Sequence, residues 1–177
     1  NIKVIRPADD DETKEAWYEA LKRTDGPTAL VLTRQDLPHL EKETGISGFE
    51  KGGYIVNGSV EDDVDAVLMA SGSEVSLAVE TADLLAKEDI KTRVISIPDR
   101  TKFAENDSEY IKGILGSDDV LRVAFEAGVG QGWYQFLGEN HHLVSVEDFG
   151  ESAPGEEVGE HFGFKAEKIA ENIKDKL

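Results

Sequence analysis

Apolar positions along the chain follow two periods, and the change from one to the other marks its clearest element. From Val64 to Pro98 an apolar run (Ala66, Val67, Leu68, Met69, Ala70) stops at Ser71-Gly72-Ser73. The apolar positions then become Val75, Ala78, Val79, Ala82, Leu85 and Ala86, the i, i+3, i+4 spacing of one helix face. A second β-branched run, Thr92 to Ile97, ends at Pro98. The pattern predicts strand, helix, strand, with parallel strands and a right-handed crossover. Ser71 and Glu74 have the spacing of a capping box, which predicts that the helix starts there.

A shorter version of the same unit opens the chain. Ile2 to Ile5 reads as a strand, and Asp9 to Glu12 place acids at the positive end of a helix whose apolar face is Ala16, Trp17, Ala20 and Leu21. Gly26-Pro27 ends it and Thr28 to Thr33 reads as a second strand. Two strands and one helix cannot bury both faces of a sheet, so this is a partial βαβ. Periodicity then disappears until Asp63, as expected of a linker and domain boundary. Within that stretch, Gly53 to Val56 followed by Asn57-Gly58 carries a hairpin-like signal for a short antiparallel edge strand. Beyond Pro98 the pattern predicts a helix over 108–115, a strand over 121–125, a helix over 131–137, a strand over 143–146 and a helix over 156–162. A last helix, 165–177, has Ile169, Ile173 and Leu177 on one face. The fold class is α/β, a mostly parallel sheet covered on both sides in three layers.

Composition narrows the function classes. With 177 residues, 39% of them hydrophobic, the chain can bury one core and part of a second. Asp and Glu outnumber Lys and Arg by 37 to 19, a formal charge of −18, which opposes phosphate backbones and anionic membranes and argues against nucleic-acid or membrane partners. Cysteine is absent, which removes disulfides, thiolate metal sites and cysteine nucleophiles. No apolar run reaches the roughly 18 to 20 residues of a membrane span, and no basic-then-apolar leader precedes the first strand, so a cytoplasmic location is the default expectation. The chain opens with Asn1 directly before a strand, as expected of a piece of something longer.

Candidate chemistry is sparse. Gly128-Val-Gly130-Gln-Gly132 follows a predicted strand as a dinucleotide loop would, but Trp133 stands where a small residue is needed and Glu126 would repel a phosphate. A tight turn is the better reading, and Ser71-Gly72-Ser73 is weaker still. His39, His141, His142 and His161 lack metal-ligand spacing and read as solvated surface. Glu147-Asp148 reads as a turn sooner than as a general acid and base, and Glu61 to Asp65 lacks the ligand order of a calcium loop. Arg34 differs: it follows the strand Thr28 to Thr33 at the carboxyl edge where α/β ligands sit, and a guanidinium can grip a phosphate through paired donors. On the residues alone, an exposed pair with an acid such as Asp36 is the commoner outcome.

Taken together, IRPAD (Ile5 to Asp9), PTALVLTRQDLPHL (Pro27 to Leu40), GGYIV (Gly52 to Val56), ASGSEVSLA (Ala70 to Ala78), EAGVGQGW (Glu126 to Trp133) and EDFGESAPGEEV (Glu147 to Val158) closely resemble the carboxyl-terminal part of the transketolase family. The resemblance implies that residues 1–35 are the tail of a thiamine pyrimidine-binding domain, 36–51 a linker, and 52–177 the C-terminal domain. That domain is expected to be a five-stranded sheet, mostly parallel with one antiparallel edge strand, flanked by helices. Members transfer a two-carbon ketol unit between phosphorylated sugars of the pentose phosphate pathway, using thiamine diphosphate and a divalent metal (magnesium or calcium) held between two subunits of a homodimer. Arg34 matches the arginine that contacts the sugar phosphate. No other site residue carries over: no catalytic, cofactor or metal ligand is expected here, and neither cofactor is expected on this chain, which lacks a Gly-Asp-Gly metal motif. Departures fall at Thr101 to Asp107 and at Val129 to Gln131. Relatives such as dihydroxyacetone synthase share much of the region. The implied reading is an enzyme fragment, inactive alone, with a structural or regulatory role. The alternatives are a non-catalytic interaction domain or subunit of a split thiamine-dependent enzyme, and a nucleotide-binding α/β domain.

Overall fold

A computed structural model describes residues 1–42 and 45–177. Two sheets run through it. Strands β1 (Lys3–Ile5) and β2 (Thr28–Leu30) pair in parallel across helix α1 (Asp10–Lys22). The second sheet holds β3 (Tyr54–Asn57), β4 (Ala66–Ala70), β5 (Thr92–Ser96), β6 (Leu121–Glu126) and β7 (His141–Ser145), in the order β3-β5-β4-β6-β7. All neighbours are parallel except β3, which lies antiparallel to β5 with Tyr54 opposite Ser96 and a bulge between Ile55 and Asn57. The expected five-stranded, mostly parallel sheet with one antiparallel edge is therefore present. The edge strand, however, pairs with β5 across the chain and makes no hairpin with β4.

The alternation of side chains along β4 explains the two cores. Ala66, Leu68 and Ala70 face helix α2 (Glu74–Ala86) and the last helix, α6 (Ala166–Lys174), while Val67 and Met69 face α3 (Arg100–Ala104), α4 (Ser108–Leu115) and the turn at 130–133. A strand buried on both faces needs the unbroken apolar run seen in the sequence. On α2 the predicted stripe is the buried one: Val75, Ala78, Ala82 and Leu85 are at most 5% exposed. Helix α5 (Gly155–His161) lies on the surface with no buried residue.

Four expectations need correction. No α-helix spans 131–137; the backbone makes a short 3-10 turn, Gly130–Trp133, followed only by turn bonds from the Phe136 and Leu137 N–H groups to the Trp133 carbonyl, because Trp133 and Phe136 both turn into the core and Trp133 bonds back to β6. The capping box at Ser71 does not form: Ser73 is the residue before α2, and the Glu74 carboxylate is drawn to Arg6 instead. Helix α6 stops at Lys174, so Ile169 and Ile173 are buried but Leu177 is not. The second strand ends at Leu30, with one further ladder bond from Val31 N–H to the Ile5 carbonyl. Helix α3 and a 3-10 turn at Phe49–Lys51 were not expected from periodicity, both being shorter than two helical turns. Residues 43 and 44 of the expected linker lie outside the described residues; the rest of it is pinned, with Leu40 buried and its N–H bonded to Asp9.

Candidate functional site

Arg34 lies a few residues beyond the carboxyl end of β2, in an exposed bend. The expected exposed pair with Asp36 is absent, and among the described residues no ion pair or hydrogen bond holds the guanidinium. The 147–155 segment comes to the same edge: a Cβ added at Gly155 would meet Gln35 Nε2 at 3.8 Å. Arg34 follows the first βαβ unit, which meets the C-terminal sheet along a seam, and among the described residues its donors are free to take an oxyanion.

That seam is held by two buried polar clusters. In the first, Asp9 caps α1, its Oδ1 accepting the Glu12 N–H at 3.0 Å while its other oxygen takes the Leu40 N–H and the Lys42 ammonium. Glu12, one turn in, points away from water. Its Oε2 accepts the Ala8 N–H at 2.8 Å, and its Oε1 accepts the hydroxyls of Tyr54 (2.8 Å) and Ser96 (2.6 Å) from the C-terminal sheet. Burial pushes the Glu12 carboxyl above its ordinary range, against the three hydrogen bonds that favour the charged form. The Tyr54 hydroxyl is pushed up as well, by burial and then by the Glu12 charge.

The second cluster lies past the ends of β4 and β6. Arg6 reaches over from the end of β1, with Nη1 2.6 Å from Glu126 Oε1 and 3.2 Å from Ser71 Oγ, and Nη2 2.8 Å from Glu74 Oε2. Trp133 Nε1 donates to Glu126 Oε2 at 2.9 Å, and Arg100 Nη1 approaches the same oxygen at 3.4 Å. Two carboxylates and two guanidinia balance in a site largely closed to water. Removing one partner from such a set strands a charge and costs about 3 to 5 kcal/mol.

The glycine loop belongs to this second cluster and not to a phosphate. A Cβ on Gly130 would run into the Leu143 side chain, and Glu147 accepts the Gly130 N–H at 2.9 Å and the Ser145 hydroxyl. The Ser145 bond lowers the Glu147 pKa first, the Gly130 bond second. The tight-turn reading holds. The histidines are less uniformly surface groups than expected. His39 pairs with Asp10, whose carboxyl the imidazole draws down to about 2. His141 is bonded to the Gly138 carbonyl, and half-buried His142 has its pKa lowered by burial.

Among the described residues one cluster, Asp9, Asp10 and His39, has the spacing to hold a metal ion. It does not fit the divalent metal of a thiamine diphosphate site, because the Asp9 oxygens already serve the helix cap, Leu40 and the Lys42 ammonium, whose charge would repel a cation. No helix of the described chain is long and apolar enough to cross a membrane. Sequence reasoning missed Arg6, Glu12, Arg100 and Glu126 as joints of the seam. The Asp9 to Glu12 spacing was a capping signal that could have pointed to Glu12; nothing local points to Arg6.

Comparison with known proteins accounts for both parts of the chain. A family profile described as the transketolase-like C-terminal domain matches residues 52–165, and one described as the transketolase pyrimidine-binding domain matches residues 1–39. The transketolase of Bacillus subtilis is 42% identical over 176 residues. Among solved structures, transketolase from Pichia stipitis in complex with sedoheptulose-7-phosphate superposes with a TM-score of 0.88 at 36% identity, covering 99% of this chain and 25% of that one. Transketolase from Campylobacter jejuni gives 0.89 at 32%, covering 99% and 26%. The chain spans about a quarter of the length of the curated relatives it matches, 26% for the Bacillus protein. With 98% of its residues aligned to that relative and its larger sheet matched as a C-terminal domain, the chain belongs to the transketolase family and represents the family's C-terminal region.

Proposed function

We propose that this chain is the C-terminal part of a transketolase that moves a two-carbon ketol unit between phosphorylated sugars, and that Arg34 grips the sugar phosphate. Residues 1–35 are then the tail of the pyrimidine-binding domain, 36–51 the linker and 52–177 the C-terminal domain. The whole enzyme is a cytoplasmic homodimer. Thiamine diphosphate, when bound there with its divalent metal, supplies the carbanion chemistry; the residues of this chain do not hold the metal. The observation that carries the reading is an exposed guanidinium, unpaired among the described residues, just beyond the carboxyl end of β2 and inside the stretch matched to the pyrimidine-binding domain. A relative solved with a sugar phosphate gives the ligand class. What this chain's own residues contribute is binding and orientation: Arg34 takes the phosphate, and the Glu12 and Glu126 clusters keep its edge fixed against the C-terminal sheet. The chain alone, without the remaining domains, is inactive.

A grip that is equal in ground and transition states raises KM and leaves kcat alone. A charge-assisted contact is worth about 1.5 to 3 kcal/mol, so Arg34→Ala in the complete enzyme weakens phosphorylated donors by roughly ten- to a hundredfold. Lysine rescues part of this, since it keeps the charge without the fork of donors. Steady-state kinetics with phosphorylated and unphosphorylated donors are the test. Equal losses for both would mean that Arg34 supports the fold and not the substrate.

A further inference from the structure

In an open α/β sheet the ligand crevice lies outside the carboxyl ends of the strands, where two neighbours send their connections to opposite faces. Here β4 leads into α2 on one face, β6 leads into the 130–133 turn on the other, and β4 and β6 are adjacent. The mouth between them is flanked by Ser71, just after β4, and Glu126, the last residue of β6. It is filled by the Arg6 side chain.

The walls are built for that side chain. Glu74 and Glu126 are 6% and 7% exposed at their side chains and meet the two terminal nitrogens separately, Glu74 through Nη2 and Glu126 through Nη1. Trp133 and Arg100 hold the second Glu126 oxygen, so this carboxylate stays oriented whether or not the crevice is filled. Gly72 passes along the guanidinium, where an added Cβ would lie 3.6 Å from Arg6 Nε and Nη2. Backbone bonds clasp the same residue, from Gly72 N–H to the Arg6 carbonyl (3.0 Å) and from Arg6 N–H to the Pro98 carbonyl (2.9 Å). An ammonium is a point charge and could not serve carboxylates from two elements and the Ser71 hydroxyl through a flat fork. An anion would meet two carboxylates.

We propose that the switch-point crevice of the C-terminal sheet is a binding site for a planar guanidinium cation, and that its resident ligand is Arg6, which latches the first βαβ unit onto the sheet. The site recognises a guanidinium in general, so vacating it uncovers a receptor for a free one.

The experiment is a thermal melt of the 177-residue chain and of Arg6→Ala during titration with methylguanidinium chloride, against equimolar sodium chloride. Once methylguanidinium reaches about ten times its dissociation constant, the melting temperature of Arg6→Ala rises by about 3 to 6 °C. The unmodified chain does not rise, and adding Glu126→Gln to Arg6→Ala abolishes the gain. No rise in Arg6→Ala, or an equal rise in the unmodified chain, overturns the proposal. Should Arg6→Ala fail to fold, nitrogen-15 NMR of the unmodified chain decides. A seated guanidinium gives resolved Nη signals for Arg6 that merge in Glu126→Gln, and merged signals in the unmodified chain overturn it.

Discussion

Glu12 shows how much one carboxyl can be asked to do. It is fully buried, has no cation within its hydrogen-bonding shell, and ties α1 to two strands of the other sheet. Its folded pKa lies above the unfolded value, with Asp9 adding a smaller push in the same direction after burial. The stability it contributes is therefore complete below the ordinary glutamate pKa and is lost as pH rises through the folded value. Glu12→Gln removes that slope: its amide oxygen can still take the Ala8 N–H, and its nitrogen can donate to the Tyr54 and Ser96 hydroxyls, which rotate to accept. Chemical denaturation from pH 4 to 8 is expected to give a flatter profile for Glu12→Gln, with the variant gaining on the parent toward pH 8. Glu12→Ala strands the Ala8 N–H and leaves a hole, costing about 3 kcal/mol or more at any pH. A Gln variant with the parent's slope would remove Glu12 as the titrating group.

At the scale of elements, short backbone approaches decide what a local pattern becomes. Gly52 leads into β3 with φ of +86°, and a Cβ there would lie 2.5 Å from both the Asp99 carbonyl oxygen and the Phe103 nitrogen, which cannot move without unseating α3. Gly45 also has a positive φ, +65°, but open space around it. Both alanine variants carry the left-handed penalty of roughly 1 to 2 kcal/mol, and Gly52→Ala adds the clash. Urea unfolding should therefore place Gly52→Ala well below Gly45→Ala; equal midpoints would mean that the β3 to α3 contact is soft. Elements whose signal is local were legible in the chain: the β4-α2-β5 unit, α1 and α4 follow directly from their apolar spacing. The misread ones lost a local contest to a distant partner. Ser71 and Glu74 had capping geometry by spacing, but Arg6 outbids a backbone N–H for the carboxylate because the bond is between charges. Trp133 and Phe136 have helical spacing, yet both side chains turn into the core from a short 3-10 turn and the turn that follows it.

Across the whole molecule, the first βαβ unit has no core of its own. Ile5, Ala8 and Ala16 are buried in the core of the C-terminal sheet, whereas its other face leaves Trp17, Tyr18 and Leu21 exposed, Leu21 by 79%, along with Val4 and Leu32. Besides that apolar contact, unit and sheet are joined through Arg6 and Glu12, while Asp9 ties α1 to Leu40 and Lys42. Periodicity made the unit itself legible as incomplete, but the joints were not, since each lies far in sequence from its partners and no spacing rule links them. Local opening should follow the same division. In hydrogen exchange of the 177-residue chain, amides of β2 are expected to exchange faster than those of β5, which is paired on both sides. Matching protection in Thr28–Leu30 and Thr92–Ser96 in a monomer would make the unit an integral part of the main core.

The antiparallel edge strand has a consequence for the order in which the molecule assembles. Tyr54 to Asn57 find their strand partner in β5, after β4 and α2 have been made and folded back. Closing that long loop is an entropic cost that β3 repays late, so its contacts belong to the downhill side of the folding barrier. Val56, 1% exposed, is a suitable reporter. Truncating it to alanine costs about 2 kcal/mol, which should appear as faster unfolding with the folding rate nearly unchanged. A matching slowdown of folding would instead place β3 in the nucleus, ahead of the parallel strands it borders.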